Sequence, residues 1–328
     1  MREAKQILVC GGAGYIGSHM AKMLAEAGYG VTVLDNLSTG NREALKWGEF
    51  VRADLRDPEA LDNLFSHKSF YAVMHFAALI QVGESVAKPA EYYDNNVIGA
   101  YRLLEAMRAH DVDRFVFSST AAVYGEPQQE QITEDHPLQP LNPYGRTKLH
   151  MERMLEDYAT AYQMRSVRFR YFNAAGADPS GEIGESHDPE SHLIPNVLMA
   201  VLGEAPQLSI FGHDYPTRDG TAVRDYIHVH DLAAAHLAAI DYMDANTGST
   251  AFNLGNGTGF TVKEIIEAAE KVTGQQVPHT LGERRAGDAA ILVADSAKAQ
   301  EALKWTPEYI EVGGIIETAW QWHRDRKY

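Results

Sequence analysis

The stretch Gly11-Gly12-Ala13-Gly14-Tyr15-Ile16-Gly17 directly follows the short apolar run Gln6–Cys10, and it decides the fold class. It contains two overlapping glycine patterns, GxGxxG and GxxGxxG. Glycines at this spacing permit a tight turn and let backbone amides approach a pyrophosphate at a helix N-terminus. The stretch therefore predicts a strand, turn and helix that bind a dinucleotide, although an ordinary strand-to-helix turn can show the same pattern.

The first half of the chain alternates short β-branched runs with longer amphipathic stretches, a pattern typical of βαβ units and a parallel sheet. The predicted strands are Gln6–Cys10, Val31–Leu34, Glu49–Ala53, Ala72–His75, Arg114–Ser118 and Ser166–Tyr171. The predicted helices between them are Ile16–Ala27, Pro58–Phe65, Pro89–Ala109 and Pro143–Ala161. An α/β fold with a doubly wound parallel sheet follows from this alternation.

Asp35 ends the second predicted strand, where a carboxylate accepts hydrogen bonds from both ribose hydroxyls and repels a 2′-phosphate. No arginine follows it, so the sequence favours NAD over NADP. Asp54 follows the third strand, and we interpret it either as an acceptor for adenine or as a turn-capping residue.

Beyond Asn173 the sequence becomes rich in Gly, Pro, Asp and His, especially over residues 176–192 and 212–220. We predict a domain boundary near residue 175, with a cofactor-binding domain at 1–175 and a smaller mixed α/β lobe at 176–328. Helical spacing returns at Leu232–Met243 and Val262–Thr273. The second lobe is expected to complete a cleft, with some crossing of the chain between the two.

Composition and charge exclude several classes of protein. Of 328 residues, 45% are hydrophobic and 23% charged, which is typical of a folded globular chain. The net charge of −16 disfavours a general nucleic-acid or anionic-membrane binder. The single cysteine, Cys10, excludes an internal disulfide, and no apolar stretch is long enough for a signal-peptide core or a membrane span. We expect a cytoplasmic protein.

Three residues are candidates for proton transfer. Asn142-Pro143 is a good helix start, and it places Tyr144 and Lys148 four residues apart on one helix face. A phenol has a pKa of about 10 and needs a nearby cation to act as a base at neutral pH. Thr120 lies just beyond the strand Arg114–Ser118, at the sheet edge where ligands bind in parallel sheets, and its alternative role is a strand-end cap.

Two histidine-containing segments suggest metal sites. His228-Val229-His230-Asp231 places two imidazoles on one side of a predicted strand, and His187–His192 forms a polar loop. Transition-metal sites usually need three or four converging ligands, so we expect no metal and interpret the loop as a polar lid. Arg284-Arg285 is either a solvated pair or a donor for a pyrophosphate.

Several further motifs resemble the extended short-chain dehydrogenase/reductase family over nearly the whole chain. They are Asp35-Asn36-Leu37-Ser38, Val82-Gly83-Glu84-Ser85, Tyr92-Tyr93-Asp94-Asn95-Asn96, Pro143-Tyr144-Gly145, Arg170-Tyr171-Phe172-Asn173, Arg224-Asp225-Tyr226-Ile227-His228-Val229 and Arg284-Arg285-Ala286-Gly287-Asp288. The resemblance implies a Rossmann-type sheet, tightly bound NAD, a UDP-sugar substrate and a homodimer formed by the helices Pro89–Ala109 and Pro143–Ala161.

The resemblance also implies roles for individual residues. Tyr144 would be the base, Lys148 would lower its pKa and hold the nicotinamide ribose, and Thr120 would bridge the sugar hydroxyl and the phenol. The implied cofactor contacts are Gly11, Gly14, Tyr15, Ile16, Gly17, Asp35, Asn36, Leu37, Ser38, Asp54, Leu55, Phe76, Ala77, Ala78, Asn95, Tyr144, Lys148 and Phe172. The implied substrate contacts are Thr120, Tyr144, Asn173, His192, Leu193, Ser209, Phe211, Arg224, Arg285, Asp288 and Leu292.

The implied activity is reversible inversion at C4 of UDP-glucose and UDP-galactose through a 4-keto sugar. The alternatives are inversion of another UDP-sugar, such as UDP-N-acetylglucosamine or UDP-glucuronate, and a non-catalytic dinucleotide sensor. A nucleotide-sugar 4,6-dehydratase is disfavoured because Ala121-Ala122, which cannot transfer protons, stand where those enzymes carry Asp-Glu. The chain departs from many relatives at Ile80, where a lysine is common, and at Leu292, where a tyrosine is common.

Overall fold

The computed structural model describes residues 4–205, 207–284 and 288–328. Its strands are β1 (Gln6–Cys10), β2 (Gly30–Asp35), β3 (Glu49–Arg52), β4 (Ala72–His75), β5 (Arg114–Thr120), β6 (Gln131–Ile132), β7 (Arg165–Tyr171), β8 (Asn173–Ala175), β9 (Leu208–Phe211), β10 (Val223–Arg224), β11 (Tyr226–His228), β12 (Ser249–Leu254), β13 (Phe260–Thr261), β14 (His279–Gly282) and β15 (Ile291–Ala294). All six predicted strands are present, with bounds within two residues of the prediction.

The helices begin with α1 (Tyr15–Glu26), α2 (Pro58–His67), α3 (Val82–Ala87), α4 (Pro89–Tyr93), α5 (Ala100–Ala109) and α6 (Pro143–Tyr162). They continue with α7 (Leu193–Leu202), α8 (Val229–Ala245), α9 (Val262–Thr273), α10 (Ala297–Leu303) and α11 (Val312–Arg324). A π-helical segment, Asp94–Gly99, joins α4 to α5 within the stretch predicted as one helix, and short 3₁₀ turns lie at Arg42–Ala44 and Ala121–Val123. No helix among the described residues is long and apolar enough to cross a membrane.

Seven strands form the main sheet in the order β12-β7-β5-β4-β1-β2-β3, and every neighbouring pair is parallel. The connections reverse direction between β1 and β4, which creates a crevice at the carboxyl ends of these strands. The predicted doubly wound α/β fold is confirmed.

Both faces of this sheet are covered at its centre, which explains why the central strand β1 is a continuous apolar run over residues 7–10. In β1, Ile7 and Val9 pack into a core with α1, α8 and α10, whereas Leu8 and Cys10 pack into a core with α2, α5 and α6. Alternate side chains of a strand point to opposite faces, so a strand buried on both faces has no polar positions to expose.

The second lobe contains a sheet in the order β13-β10-β15-β6 and a separate core formed mainly by α7, α9 and α11. Helix α8 and strand β12 follow residue 175 but pack with the main sheet. Strand β6 precedes residue 175 but pairs with β15. The chain therefore crosses between the two lobes in both directions.

The prediction of a single strand through His228-Val229-His230-Asp231 is wrong, because helix α8 begins at Val229. The His228 imidazole accepts a hydrogen bond from the His230 amide at 3.0 Å and so caps the helix. The Asp231 carboxylate accepts from the amides of Glu308 and Tyr309, at 2.7 and 2.9 Å. The side chains of His228 and Asp231 are therefore used in capping and in support of the loop at Glu308 and Tyr309.

A buried ionic network joins α6 to strands β5 and β7. Glu152 is fully buried, and its carboxylate accepts from the Arg170 guanidinium at 2.5–3.2 Å and from the Ser119 hydroxyl at 2.5 Å. Arg168 lies 3.6 Å from the same carboxylate. Because both arginines are themselves buried, the network fixes α6 against the strands that carry Thr120.

We expect Glu152→Ala to lower the free energy of unfolding by about 3–5 kcal/mol, because it leaves two buried guanidinium groups without their shared partner. The matched control is Glu49→Ala, which removes an exposed partner of Lys68 and should cost about 1 kcal/mol or less. Urea denaturation of both variants measures the difference. Equal losses in the two variants would show that the buried network does not stabilise the fold.

Candidate active site

The glycine turn after β1 brings three backbone segments into contact. Gly11 has φ +81°, and a Cβ built there would lie 2.5 Å from the amide nitrogen of Ala77. A Cβ at Gly17 would collide with the carbonyl oxygen of Gly11. Helix α1 then starts at Gly14 without a side-chain cap, so the amides of its first turn point toward the crevice and can hydrogen-bond an anion.

Asp35 lies at the end of β2 beside this turn. Its buried carboxylate accepts from the amides of Ala13 at 3.0 Å and Leu37 at 2.8 Å. The carboxylate is therefore held at the rim of the crevice, where it can accept from a ribose.

The neighbouring Asp54 is held by charged and polar partners. Arg56 donates to its carboxylate at 2.8–2.9 Å, and the Asn36 amide donates at 3.0 Å. The hydrogen bonds from Arg56 hold the pKa of Asp54 well below its usual range. Arg56 also binds Asp94 at 2.9 Å, so this nearby cation is already paired and does not provide a site for a 2′-phosphate.

The loop after β4 closes the other side of the crevice. The amides of Phe76 and Ala77 both donate to the carbonyl of Cys10, at 2.8 and 3.1 Å. Asn96, within the π-helical segment, binds both the amide and the carbonyl of Leu79, at 2.8 and 3.0 Å. The glycine cradle, the uncapped helix and Asp35 together fit a dinucleotide without a 2′-phosphate, such as NAD.

The predicted proton-transfer residues meet at the carboxyl end of β5. The Asn142 side chain caps α6 by accepting from the Gly145 amide at 2.9 Å, which fixes the first turn that carries Tyr144. Lys148 donates to the Ser118 carbonyl at 2.8 Å, and its Nζ lies 5.9 Å from the centre of the Tyr144 ring. The Thr120 hydroxyl accepts from the Ala122 amide at 3.2 Å.

Burial dominates the protonation of both groups in the chain alone. Burial raises the pKa of Tyr144 to about 12, while a hydrogen bond with Thr120 acts in the opposite direction. Burial lowers the pKa of Lys148 to about 7. The phenol is therefore protonated at neutral pH, and a further positive charge is needed near it to favour phenolate.

The supporting roles of several residues around this centre were not predicted from the sequence. The Ser118 hydroxyl hydrogen-bonds the Tyr171 hydroxyl, and burial raises the pKa of Tyr171 above its usual value. Ser119 and Arg170 belong to the Glu152 network. One signal was available, because Glu152 follows Lys148 by four residues and so lies on the same face of α6.

The predicted substrate residues come from several segments of the chain. Asn173 begins β8 and donates from its amide to the Asp225 carbonyl at 2.7 Å. Arg224 donates to the Ala289 carbonyl at 2.8 Å and lies 3.8 Å from the Asp288 carboxylate. Arg285 lies outside the described residues.

Leu292 is brought close to the proton-transfer residues. It pairs with Arg224 between β15 and β10, and it packs with Phe172 against the small apolar cluster Ala121–Tyr124 that follows Thr120. The other predicted substrate residues lie elsewhere, with His192 and Leu193 at the start of α7 and Ser209 and Phe211 on β9.

Comparison with known proteins gives a consistent result. Residues 7–255 match the NAD dependent epimerase/dehydratase family. The chain is 52% identical over 322 residues to a UDP-glucose 4-epimerase of Halalkalibacterium halodurans, covering 98% of this chain and 96% of that protein.

Two solved structures are also similar. One is the Brucella ovis UDP-glucose 4-epimerase in complex with NAD, with a TM-score of 0.94, 49% identity and coverage of 97% of this chain and 98% of that chain. The other is the UDP-Glc/GlcNAc 4-epimerase of Campylobacter jejuni, with a TM-score of 0.87, 41% identity and coverage of 98% and 99%. Together with the geometry of the crevice, these matches show that the chain belongs to the NAD dependent epimerase/dehydratase family.

Proposed function

We propose that this protein catalyses the reversible inversion at C4 of UDP-glucose and UDP-galactose with tightly bound NAD. The observation that carries this proposal is the meeting of Tyr144, Lys148 and Thr120 beside the dinucleotide crevice. The 52% identity to a UDP-glucose 4-epimerase over nearly the whole chain supports this activity over a sensing role. A cytoplasmic location stays a prediction.

Tyr144 acts as the base that takes the proton of the sugar 4-hydroxyl. Thr120 donates a hydrogen bond that orients this hydroxyl group. When bound beside these residues, NAD would supply the hydride acceptor for C4 and then the hydride donor to the opposite face of the 4-keto sugar. Lys148 contacts the nicotinamide ribose and, when protonated, supplies the positive charge that lowers the pKa of the phenol. Ala121 and Ala122 offer no acid or base, so water is not eliminated.

The remaining assignments follow the same proposal. On the cofactor side, the turn residues Gly11–Gly17 and the adjacent loops hold the pyrophosphate, while Asp35 holds the ribose. On the substrate side, Asn173, Arg224, Asp288 and Arg285 hold the UDP group, together with His192, Leu193, Ser209 and Phe211.

Tyr144→Phe is expected to lower turnover by about 100-fold or more, because the variant loses only the proton-transfer group. The variant should still bind NAD, because the phenylalanine ring occupies the same space as the tyrosine ring. Tyr162→Phe, on the exposed end of the same helix, is the control and should retain normal turnover. Near-normal turnover in Tyr144→Phe would reject this residue as the base.

Lys148→Met should stabilise the protein at pH 6, because it removes a buried ammonium. The pKa is about 7 in the folded protein and near 10.5 when unfolded, so the cost of burial is fully present below pH 7. This cost falls as the pH rises from 7 to 10.5, and a gain of about 4–5 kcal/mol at pH 6 should therefore shrink to about 1 kcal/mol at pH 10. Denaturation of wild type and Lys148→Met at both pH values measures this gain, and Lys271→Met, at an exposed position on α9, is the comparison. A gain that does not change with pH would contradict a neutralised Lys148.

Leu292 is expected to set the tolerance for a 2-N-acetyl group, because it packs against the apolar cluster that contains Ala121, the residue after Thr120. A leucine frees volume relative to tyrosine but is bulkier than cysteine. We therefore expect UDP-glucose to be preferred, with weak activity on UDP-N-acetylglucosamine. The ratio of kcat/KM for the two sugars is measured in wild type, Leu292→Tyr and Leu292→Cys. It should differ between these proteins by the equivalent of about 1–3 kcal/mol. Identical kcat/KM ratios in all three proteins would show that Leu292 does not determine which sugar is preferred.

We also propose a homodimer formed through the helices at Pro89–Ala109 and Pro143–Tyr162. On these helices, Leu103, Leu104, Met107, Met151 and Leu155 are fully buried within the chain, and Leu149 and Met154 are partly buried. A different set of residues is exposed along these helices, namely Ile98, Tyr101 and Tyr162. These residues provide the apolar surface for a second copy.

Light scattering should give twice the chain mass of 36.3 kDa at micromolar concentration. Tyr101→Lys combined with Tyr162→Lys should shift the mass toward that of a single chain, because two charges would be buried at the interface. A wild-type mass of 36.3 kDa would contradict the dimer.

A further inference from the structure

The loop between β8 and α7 brings two carboxylates and two imidazoles together away from the proton-transfer residues. Glu185, His187, Glu190 and His192 each place one ligand atom in a group whose members all lie within 4.8 Å of one another. The sequence analysis interpreted this segment as a polar lid. The convergence of four ligand atoms was not visible from sequence spacing.

Both imidazoles direct Nδ1 to the same carboxylate. Glu185 Oε1 lies 2.5 Å from Nδ1 of His192 and 3.2 Å from Nδ1 of His187. Glu190 lies 3.4 Å from Nδ1 of His192 and 3.7 Å from Nδ1 of His187. Neighbouring ligand atoms of a tetrahedral zinc ion, with bonds of about 2.0–2.2 Å, are roughly 3.4 Å apart. The distances of 3.2, 3.4 and 3.7 Å fit this separation, whereas Nδ1 of His192 must move away from Glu185 Oε1 for both atoms to bind the ion.

The ligands are held in place by surrounding groups. The backbone carbonyl of Glu185 accepts from the buried indole of Trp322 at 2.8 Å. Glu190 accepts from the amides of Ser191 at 2.7 Å and His192 at 2.9 Å. Such outer contacts orient the ligands before a metal binds.

One polar atom of the cluster is left without a hydrogen-bond partner. Nδ1 of His187 is buried and makes no hydrogen bond to any described residue, since its approach to Glu185 lacks hydrogen-bond geometry. A buried unpaired nitrogen is costly, and a metal ion would use its lone pair.

We propose that Glu185, His187, Glu190 and His192 form a binding site for a divalent transition metal, with Zn²⁺ as the best match. Two imidazole nitrogens favour zinc over magnesium or calcium, which prefer oxygen ligands. An open cleft of about 600 Å³, lined in part by His187, Glu190, Arg326 and Tyr328, provides a path for the ion.

A bound metal would link the loop at residues 185–190 to His192, at the start of α7. A metal on Nδ1 of His192 fixes the tautomer in which Nε2 carries the proton. This ring is 40% exposed, so Nε2 is free to donate a hydrogen bond to a ligand while Nδ1 holds the metal. The site is structural and goes beyond the proposed activity, which does not require it.

The test measures zinc bound to the full-length protein. Metal-free protein is equilibrated with ZnCl₂ at buffered free concentrations, and bound zinc is determined by elemental analysis and by the shift in melting temperature. We expect one zinc per chain in wild type and at least a tenfold loss of affinity in His187→Gln and in Glu190→Gln. The control His67→Gln, at the exposed end of α2, should bind as wild type.

Replacement of zinc by Co²⁺ gives a second readout, because tetrahedral Co²⁺ absorbs visible light strongly. Binding of Co²⁺ to single exposed histidines elsewhere on the surface would not impose a tetrahedral geometry. Mg²⁺ and Ca²⁺ should not displace the zinc. The proposal is overturned if His187→Gln and wild type bind equal amounts of zinc, or if neither Co²⁺ absorption nor a melting shift appears. In that case the cluster consists of paired imidazolium and carboxylate groups only. Because zinc binding is measured without substrate, failure here leaves the proposed activity untouched.

Discussion

The close approach of the Gly11 backbone to the Ala77 backbone is the constraint on which the rest of the structure depends. It leaves no space for a side chain between β1 and the loop after β4. The same packing lets α1 start against the turn, because Gly17 lies against the carbonyl of Gly11. A crevice with free helix amides and an adjacent carboxylate, Asp35, results at the point where the connections of the sheet reverse. The position of the cofactor site is thus fixed by backbone sterics.

The proton-transfer residues are placed by a second, electrostatic constraint. Helix α6 carries Tyr144 and Lys148, and its position against β5 and β7 is held by the buried pairing of Glu152 with Arg170. Burial also has a cost, since it raises the pKa of Tyr144 and lowers that of Lys148. Without cofactor, the Tyr144 phenol is therefore protonated and does not act as a base. The positive charge of an oxidised nicotinamide would lower the pKa of the phenol and favour phenolate. On this account, the base becomes active only in the loaded enzyme.

Much of this could be predicted from the sequence, because the signals are local. The glycine turn, the strand bounds and the start of α6 depend on residues that are adjacent in the sequence. The structure confirms these predictions. Contacts between distant segments could not be predicted. The helix start at Val229 depends on capping by His228, and the crossing of β12 into the main sheet depends on pairing with β7. The convergence of Glu185 with His192 likewise depends on how a loop without regular structure folds back.

The central claim is that hydride leaves C4 and returns to the same carbon without exchange with water. The most direct measurement converts UDP-galactose in D₂O with the purified protein and no added reductant, and examines the product by NMR and mass spectrometry. The account predicts UDP-glucose that carries the original hydrogen at C4, at equilibrium with the starting sugar. Deuterium at C4, a dehydrated keto sugar as the main product, or no conversion at all would contradict it.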